Sequence, residues 1–209
     1  MADKLSDKYR IIKLQPCADL AEPVSKHADM LLGSLDGRLV VTRSYYEKNA
    51  ALFSDCDPLI TDEQHGKEYP ADILLNFIDT KDAVIGYKNA LTRLINKPVI
   101  NVKQGYARCS TLICRDFAVS ADKGILSALS SLGYDTLQIS PGHIVLPGYD
   151  FGFIGGASFT DGGDVYFFGS LSYHPDGNKI KEFIISHKAK VYELADAPLL
   201  DLGGAVIIK

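Results

Sequence analysis

The chain has little of what marks nucleic-acid-binding, membrane or exported proteins. Its 209 residues carry 22 Lys and Arg against 26 Asp and Glu, so the net charge is -4 and no basic excess indicates a phosphate-binding surface. No run approaches the roughly 18 consecutive apolar residues of a membrane span, and the opening letters, MADKLSDKYR, lack the apolar core of a signal peptide. These absences predict a cytoplasmic protein with no nucleic-acid or membrane partner.

Cysteine is also scarce. The four cysteines, Cys17, Cys56, Cys109 and Cys114, form no CxxC pair, which favours reduced thiols over disulfides or a zinc site. The glycine-rich stretch FIGGASFTDGGD does not follow the strand, GxGxxG, helix order of a dinucleotide site, and no Lys-Ser or Lys-Thr makes it a P-loop. We therefore predict neither a metal nor a cofactor.

What the chain does have is repetition. Apolar segments in the order strand, strand, helix, strand occur three times, over residues 70–103, 104–140 and 153–195. In the second round, Asp122 is a predicted N-cap, and in the third, residues 161–164 (DGGD) read as a hairpin turn. Because one such unit cannot bury both of its faces, the repetition predicts a closed ring of units.

The remaining chain is less regular. Residues 9–16 read as a strand, residues 21–35 as a helix and residues 37–44 as a strand, whereas residues 45–69 read as a long loop or excursion with weak periodicity. The final letters, LLDLGGAVIIK, resemble the start of another round, which the strand at 9–16 would complete. The whole chain, 1–209, is thus predicted to be one α/β domain with five units, three visible and two inferred.

Three stretches carry a resemblance to a known family: PADILLNFIDTKDAVIGY, QGYARCSTLICRDFAVSADKGI and GFIGGASFTDGGDVYFFGSLSYHPDGNKIKEF. Over residues 70–209 the chain resembles the pentein fold, the five-fold pseudosymmetric α/β propeller of guanidino-group modifying enzymes. It is more closely similar to uncharacterised bacterial proteins of that fold. In the enzymes, a late cysteine attacks the guanidinium carbon, a histidine moves protons and acidic residues bind the cation.

The resemblance leaves those three roles unfilled. Gln104 stands where an acidic residue is expected, the histidine position falls near Phe153, and Ala205 and Val206 stand at the cysteine position. Only Asp72 and Asn76, in PADILLN, match polar substrate-binding residues of the family, which stand at the start of a repeat unit. The resemblance therefore implies a small-molecule-binding domain without the usual catalytic set.

The candidate site residues each have a structural alternative. Arg108 would lower the pKa of the adjacent Cys109, although a buried, inert cysteine is the commoner case. His143 is interpreted equally well as a catalytic acid or base and as a residue that caps a strand. The pair Gly155 and Gly156 indicates the close approach either of another backbone segment or of a ligand. An aromatic wall or core packing explains residues 149–151 (YDF) equally well.

Three functions follow from these readings. The first is a binding protein for a small polar molecule with a pocket on the ring axis. The second is a guanidino-modifying hydrolase or transferase that uses Cys109 as nucleophile with His143, and the third is a structural domain whose axis is plugged by apolar side chains. The predicted ligand-binding residues are Asp72, Asn76, Arg108, Phe153, Gly155 and Gly156.

Overall fold

The protein consists of repeated three-stranded sheets joined by short helices. The computed structural model describes residues 5–208, and within this range it contains four three-stranded sheets. The strands of the first two sheets are β1 (Leu32–Leu35), β2 (Arg38–Thr42), β3 (Leu59–Thr61), β4 (Ile78–Asp79), β5 (Val84–Gly86) and β6 (Val99–Asn101). Those of the last two are β7 (Thr111–Cys114), β8 (Phe117–Ser120), β9 (Asp135–Gln138), β10 (Ser158–Asp161), β11 (Asp164–Phe167) and β12 (Val191–Glu193).

The four sheets share one topology. The first two strands of each sheet form an antiparallel hairpin, and the second strand pairs in parallel with the third after a crossover. The α-helices are α1 (Ala28–Leu31), α2 (Arg43–Lys48), α3 (Lys123–Ser131) and α4 (Gly177–Ser186). Short 3-10 helices span Glu22–Val24, Ala50–Phe53, Ala71–Ile73, Lys88–Ala90 and Leu171–Tyr173. The repeated order of the strands is thus confirmed, whereas the predicted α-helix of the crossover is absent from the second sheet, which has only the 3-10 helix Lys88–Ala90 there.

The predicted hairpin turn in the last sheet is confirmed. Asp161 pairs with Asp164 across a two-residue loop, and Gly162 and Gly163 have φ of 58° and 86°. Positive φ at both loop positions is the type I′ geometry, which matches the twist of the flanking strands and favours glycine.

Helices α3 and α4 also follow the predicted pattern. The Asp122 side chain caps α3 by accepting a hydrogen bond from the Ile125 N–H at 2.8 Å. Ile125 and Leu129 of α3 and Ile180 and Ile184 of α4 are buried against the sheets. Because a crossover helix covers one sheet face, each helix supplies the apolar stripe that its unit needs.

The first third of the chain departs from the sequence prediction. Residues 9–16 form no strand, and Ile11 and Ile12 are exposed rather than buried against a partner strand. The predicted helix over 21–35 shrinks to the four residues of α1, because the following residues pair with β2 as the strand β1.

Residues 45–69 are not an excursion. They hold most of α2 and all of β3, which are the crossover and closing strand of the first unit. The irregular part of this stretch lies mainly in residues 54–58 and 62–69, which have neither helix nor strand. The helix predicted over residues 89–97 is likewise reduced to the short 3-10 helix Lys88–Ala90.

The segments that precede the first strand of each sheet meet at one place. The Asn76 Nδ2 donates to the Asp29 carbonyl at 2.9 Å, and the Asn76 Oδ1 accepts from the Cys109 N–H at 3.3 Å. The Gly156 N–H in turn donates to the Cys109 carbonyl at 3.1 Å. Four units are therefore joined by hydrogen bonds two or three residues before their first strands.

The C-terminal segment closes this circuit. The Gly204 N–H donates to the Gly156 carbonyl at 2.8 Å, and the Asp29 N–H donates to the Gly203 carbonyl at 2.9 Å. No strand includes residues 201–208, but Leu200 forms a parallel bridge with Val145. The circuit formed by segments 29, 76, 109, 156 and 203–204 is called the head ring below.

Candidate functional site

A cavity of about 250 Å³ lies at the head ring. It combines buried polar groups from both ends of the chain with aromatic side chains from the long connection between β9 and β10. Its lining residues are Val24, His27, Met30, Tyr106, Cys109, Leu146, Tyr149, Asp150, Phe151, Phe153 and Asp201. A concave site on rigid strand ends is the usual setting for small-molecule binding.

Asp201 is the buried acid of this cavity. Its Oδ2 accepts from the Phe153 N–H at 2.8 Å, and its Oδ1 accepts from the Gly203 N–H at 2.9 Å. Burial and the charge of Asp29 raise the pKa of Asp201 to about 7, although the two backbone hydrogen bonds act in the opposite direction. The carboxyl therefore changes charge near neutral pH. A side chain at Gly156 would overlap this carboxylate, so Asp201 explains the glycine there.

His27 faces the same carboxylate. The His27 Nδ1 lies 3.7 Å from the Asp201 Oδ1, and His27 is the N-cap residue of α1. Burial lowers the pKa of His27, an effect that the nearby Asp29 charge partly offsets. The imidazole is thus neutral at neutral pH and presents a hydrogen-bonding group beside the acid.

Asp29 adds a second buried carboxylate next to the cavity. It is 3% exposed, and neither carboxylate oxygen has a hydrogen-bond partner with good geometry among residues 5–208. Its backbone is held in the head ring through its N–H and its carbonyl. A buried acid is costly unless a positive charge balances it, and the Arg108 guanidinium lies close enough for the two charges to interact.

Cys109 is a protonated thiol. Burial, followed by the charges of Asp29 and Asp201, raises its pKa well above the ordinary value, and the hydrogen bond from Asn76 only partly opposes this. The Asn76 Nδ2 lies 2.8 Å from the thiol sulfur. The sequence expectation that Arg108 lowers this pKa is wrong, because burial and two acidic neighbours dominate.

Arg108 and Asn76 hydrogen-bond to the backbone next to the cavity. The half-buried Arg108 donates from its guanidinium to the Leu32 carbonyl at 2.7 Å, and burial lowers its pKa. Asn76 is fully buried, and its Oδ1 accepts from the backbone N–H groups of Arg108 and Cys109. Both predicted ligand-binding side chains are thus engaged in holding neighbouring strands together.

The glycine pair marks a close approach of backbone. A Cβ at Gly155 would lie 2.6 Å from the carbonyl oxygens of Cys109 and Thr111, and one at Gly156 would meet Asp201. Real Cβ atoms do not come this close to a carbonyl oxygen. Of the two readings of the pair, packing of neighbouring chain segments fits the structure.

The remaining predicted residues are divided. Phe153 lines the cavity as expected. Asp72 is buried and accepts a 2.5 Å hydrogen bond from the Tyr106 hydroxyl, and burial raises its pKa. His143 packs edge-on against His174, with ring centroids 5.7 Å apart, so the structure does not place it with Cys109 among the lining residues. The histidine that lines the same cavity as Cys109 is His27.

Aromatic rings form the wall that the sequence suggested. The rings of Tyr106 and Phe153 are stacked with centroids 6.2 Å apart, and Phe151 meets Phe153 edge-on at the same separation. Tyr149 and Phe151 remain 48% and 43% exposed. Residues 149–151 therefore line the mouth of the cavity instead of filling a core.

Sequence reasoning missed three polar residues, His27, Asp29 and Asp201. Asp201 stands two residues before the glycine pair Gly203 and Gly204 in LLDLGGAVII, the stretch where the resemblance implies a cysteine. A signal did exist, because a charged residue inside an otherwise apolar segment next to Gly-Gly is costly to bury without a purpose.

No helix among residues 5–208 is long and apolar enough to cross a membrane. No group of three or more His, Cys, Asp or Glu side chains in the same range is arranged to hold a metal ion.

The described part of the chain is a mixed α/β protein with four small three-stranded sheets and a cavity lined by aromatic, aliphatic and acidic side chains. The chain belongs to the Family of unknown function (DUF6873), whose sequence model matches residues 1–206. No curated protein matches the chain.

Proposed function

We propose that this protein binds a small organic cation, such as an amine, an amidine or a guanidine, in the cavity at the head ring. The observation that carries the proposal is the pair of buried carboxylates, Asp29 and Asp201, next to a cavity walled by aromatic rings. Carboxylates and the faces of aromatic rings both attract cations, and both act more strongly where water is excluded.

The charge distribution supports a cation rather than an anion. The nearby positive group, Arg108, donates to the Leu32 carbonyl and is not among the residues that line the cavity. The lining residues supply carboxylates at Asp150 and Asp201 and a neutral imidazole at His27. The Asp29 carboxylate adds negative charge near the cavity, and the Arg108 guanidinium offsets part of it.

The five-fold ring belongs to this proposal. We infer that the four sheets are four units of a pentein-like ring within one domain and that the Val145 and Leu200 bridge is the remnant of a fifth. The head ring supports this, because its five segments close into one hydrogen-bonded circuit. A cytoplasmic location is also proposed, supported by the four free cysteines.

A second candidate is the guanidino-modifying enzyme with Cys109 as nucleophile. It is favoured by one observation, that Cys109 lines the same cavity as His27 and Asp201. The raised pKa of the thiol weighs against it, since the thiolate is the nucleophile. We therefore place the binding function first.

The test is a titration calorimetry series at about pH 8, where the Asp201 carboxyl is ionised. The probes are butylamine, pentanamidine and butylguanidine, with butanol and butyrate as neutral and anionic controls. We expect at least one cation to bind and both controls to fail. Binding should weaken as the pH falls below about 7, because protonation removes the Asp201 charge.

Two variants separate the site from overall charge. Asp201→Asn should weaken cation binding about tenfold or more, the usual effect of losing a charge-assisted hydrogen bond. Asp57→Asn removes the same charge from an exposed side chain that pairs with Arg38, and it should leave binding unchanged. Equal binding of butanol and butylamine would refute the proposal, and binding of no probe would favour a structural domain.

A further inference from the structure

A second cavity adjoins the first. It also measures about 250 Å³, and Phe151 and Phe153 line both. Its lining residues are Gln104, Ser110, Ala121, Asp122, Ile139, Ser140, Pro141, Gly142, Ile144, Phe151, Gly152, Phe153 and Ile154. The two cavities therefore lie on either side of one aromatic wall, and a chain-like molecule that crosses this wall reaches both.

The second cavity contains polar groups that the fold leaves unused. Ser110 is 4% exposed, and its hydroxyl has no hydrogen-bond partner among the described residues. Such a buried hydroxyl normally finds a partner, because leaving it unpaired costs free energy. Ser110 directly follows Cys109, so one strand end contributes to both cavities.

Asp122 supplies the charge. Its Oδ1 accepts the capping hydrogen bond from the Ile125 N–H, which engages one of its two carboxylate oxygens. A carboxylate can accept several hydrogen bonds, so capacity remains for a donor in the cavity. The second cavity thus combines a carboxylate with an unpaired hydroxyl, a pair suited to an ammonium group, which carries three donors.

Resting on the function proposed above, we propose that the ligand is a linear molecule with a cationic group at each end, of the α,ω-diamine class. One cation sits with Asp201 in the first cavity and the other with Asp122 and Ser110 in the second. Its methylene chain lies against Phe151 and Phe153, where burial of apolar surface adds to affinity.

The experiment compares diamines with monoamines of equal chain length. Calorimetric titrations at about pH 8 would cover the series from diaminopropane to diaminooctane beside propylamine to octylamine, since primary amines remain protonated there. We expect one or more diamines to bind about tenfold more tightly than the matched monoamine. The corresponding amino alcohols should show little of this advantage, because they lack the second charge.

Three variants assign the second cation to its cavity. Asp122→Asn removes the charge while keeping a good N-cap, and Ser110→Ala removes the hydroxyl. Either change should reduce the ratio of diamine affinity to monoamine affinity. Asp57→Asn is the matched surface control and should alter neither. A far-ultraviolet circular dichroism spectrum of each variant checks that α3 and the sheets are retained.

The outcomes distinguish the two proposals. If monoamines bind but no diamine binds more tightly, or if Asp122→Asn leaves the diamine advantage intact, the two-ended ligand is refuted and cation binding stands. If no amine, amidine or guanidine binds, cation binding itself is refuted and the two-ended ligand with it.

Discussion

The buried carboxyl of Asp201 should make the stability of the fold depend on pH in a defined way. Its pKa is about 7 in the folded protein, against about 4 for an ordinary aspartate. Each pKa difference of one unit corresponds to about 1.4 kcal/mol, so the ionised carboxyl should destabilise the folded state by about 4 kcal/mol. This cost arises because burial and the neighbouring Asp29 disfavour the charged form.

The sign follows from proton linkage. Below about pH 4 the carboxyl is protonated in the folded and unfolded states alike, and the cost is absent. As the pH rises from about 4 through about 7, the unfolded chain releases its proton first, so the folded state loses stability. Above about pH 7 the full cost of about 4 kcal/mol is present.

The assay is chemical denaturation of the wild type and Asp201→Asn at intervals between about pH 4 and pH 8. The wild-type curve alone is not sufficient, because buried histidines with lowered pKa values act in the opposite direction over the same range. The difference between the two proteins isolates Asp201. Wild type should lose about 4 kcal/mol relative to the variant as the pH rises.

A parallel pair of curves would refute the reasoning. It would mean that Asp201 titrates as an ordinary carboxyl, and therefore that it is neither buried nor next to a second charge. Asp57→Asn is the control, since its carboxylate is 94% exposed and its removal should give no pH-dependent difference.

Three further predictions concern buried groups. Burial lowers the pKa of His65 to about 4. As the pH falls from about 6.5 to 4, the free energy of unfolding of the wild type should therefore decrease by about 3 kcal/mol relative to that of His65→Gln, measured by the same denaturation. A difference that stays constant with pH would contradict the burial of His65. Gly155→Ala should destabilise the fold by more than about 4 kcal/mol, because the new methyl group would overlap backbone carbonyl oxygens. Gly162→Ala should cost about 1 kcal/mol, because the site has open space and only its positive φ is unfavourable. Equal shifts of the melting temperature would argue against the close approach of backbone at Gly155. Iodoacetamide should label Cys109 more slowly than the half-buried Cys56, as followed by peptide mass spectrometry, and faster labelling of Cys109 with a midpoint below about 8.5 would support the enzyme candidate.

Local signals in the sequence predicted the regular parts of the fold. The N-cap at Asp122 and the helical spacing of Ile125 and Leu129 depend on contacts within one or two turns, and the structure has them. The DGGD hairpin also depends on backbone preferences of adjacent residues. These features were predictable because their causes lie close together in the chain.

The first unit shows where local signals fail. Helical spacing over 21–35 predicts a helix, yet the last residues of that segment form β1 because β2 offers a full set of backbone hydrogen bonds. Residues 45–69 have weak periodicity, but the parallel pairing of β3 with β2 gives them regular structure. In both cases a partner strand outside the local window decides the outcome.

The candidate site divides in the same way. The sequence by itself determined that Cys109, Phe153 and the glycine pair stand at the heads of repeated units, because repetition is visible in the order of residues. Only the tertiary structure decided that Asp29 and Asp201, from opposite ends of the chain, would be buried beside one thiol. Charge and burial act through space, so the chemistry of this site is set by closure of the head ring and not by any one segment.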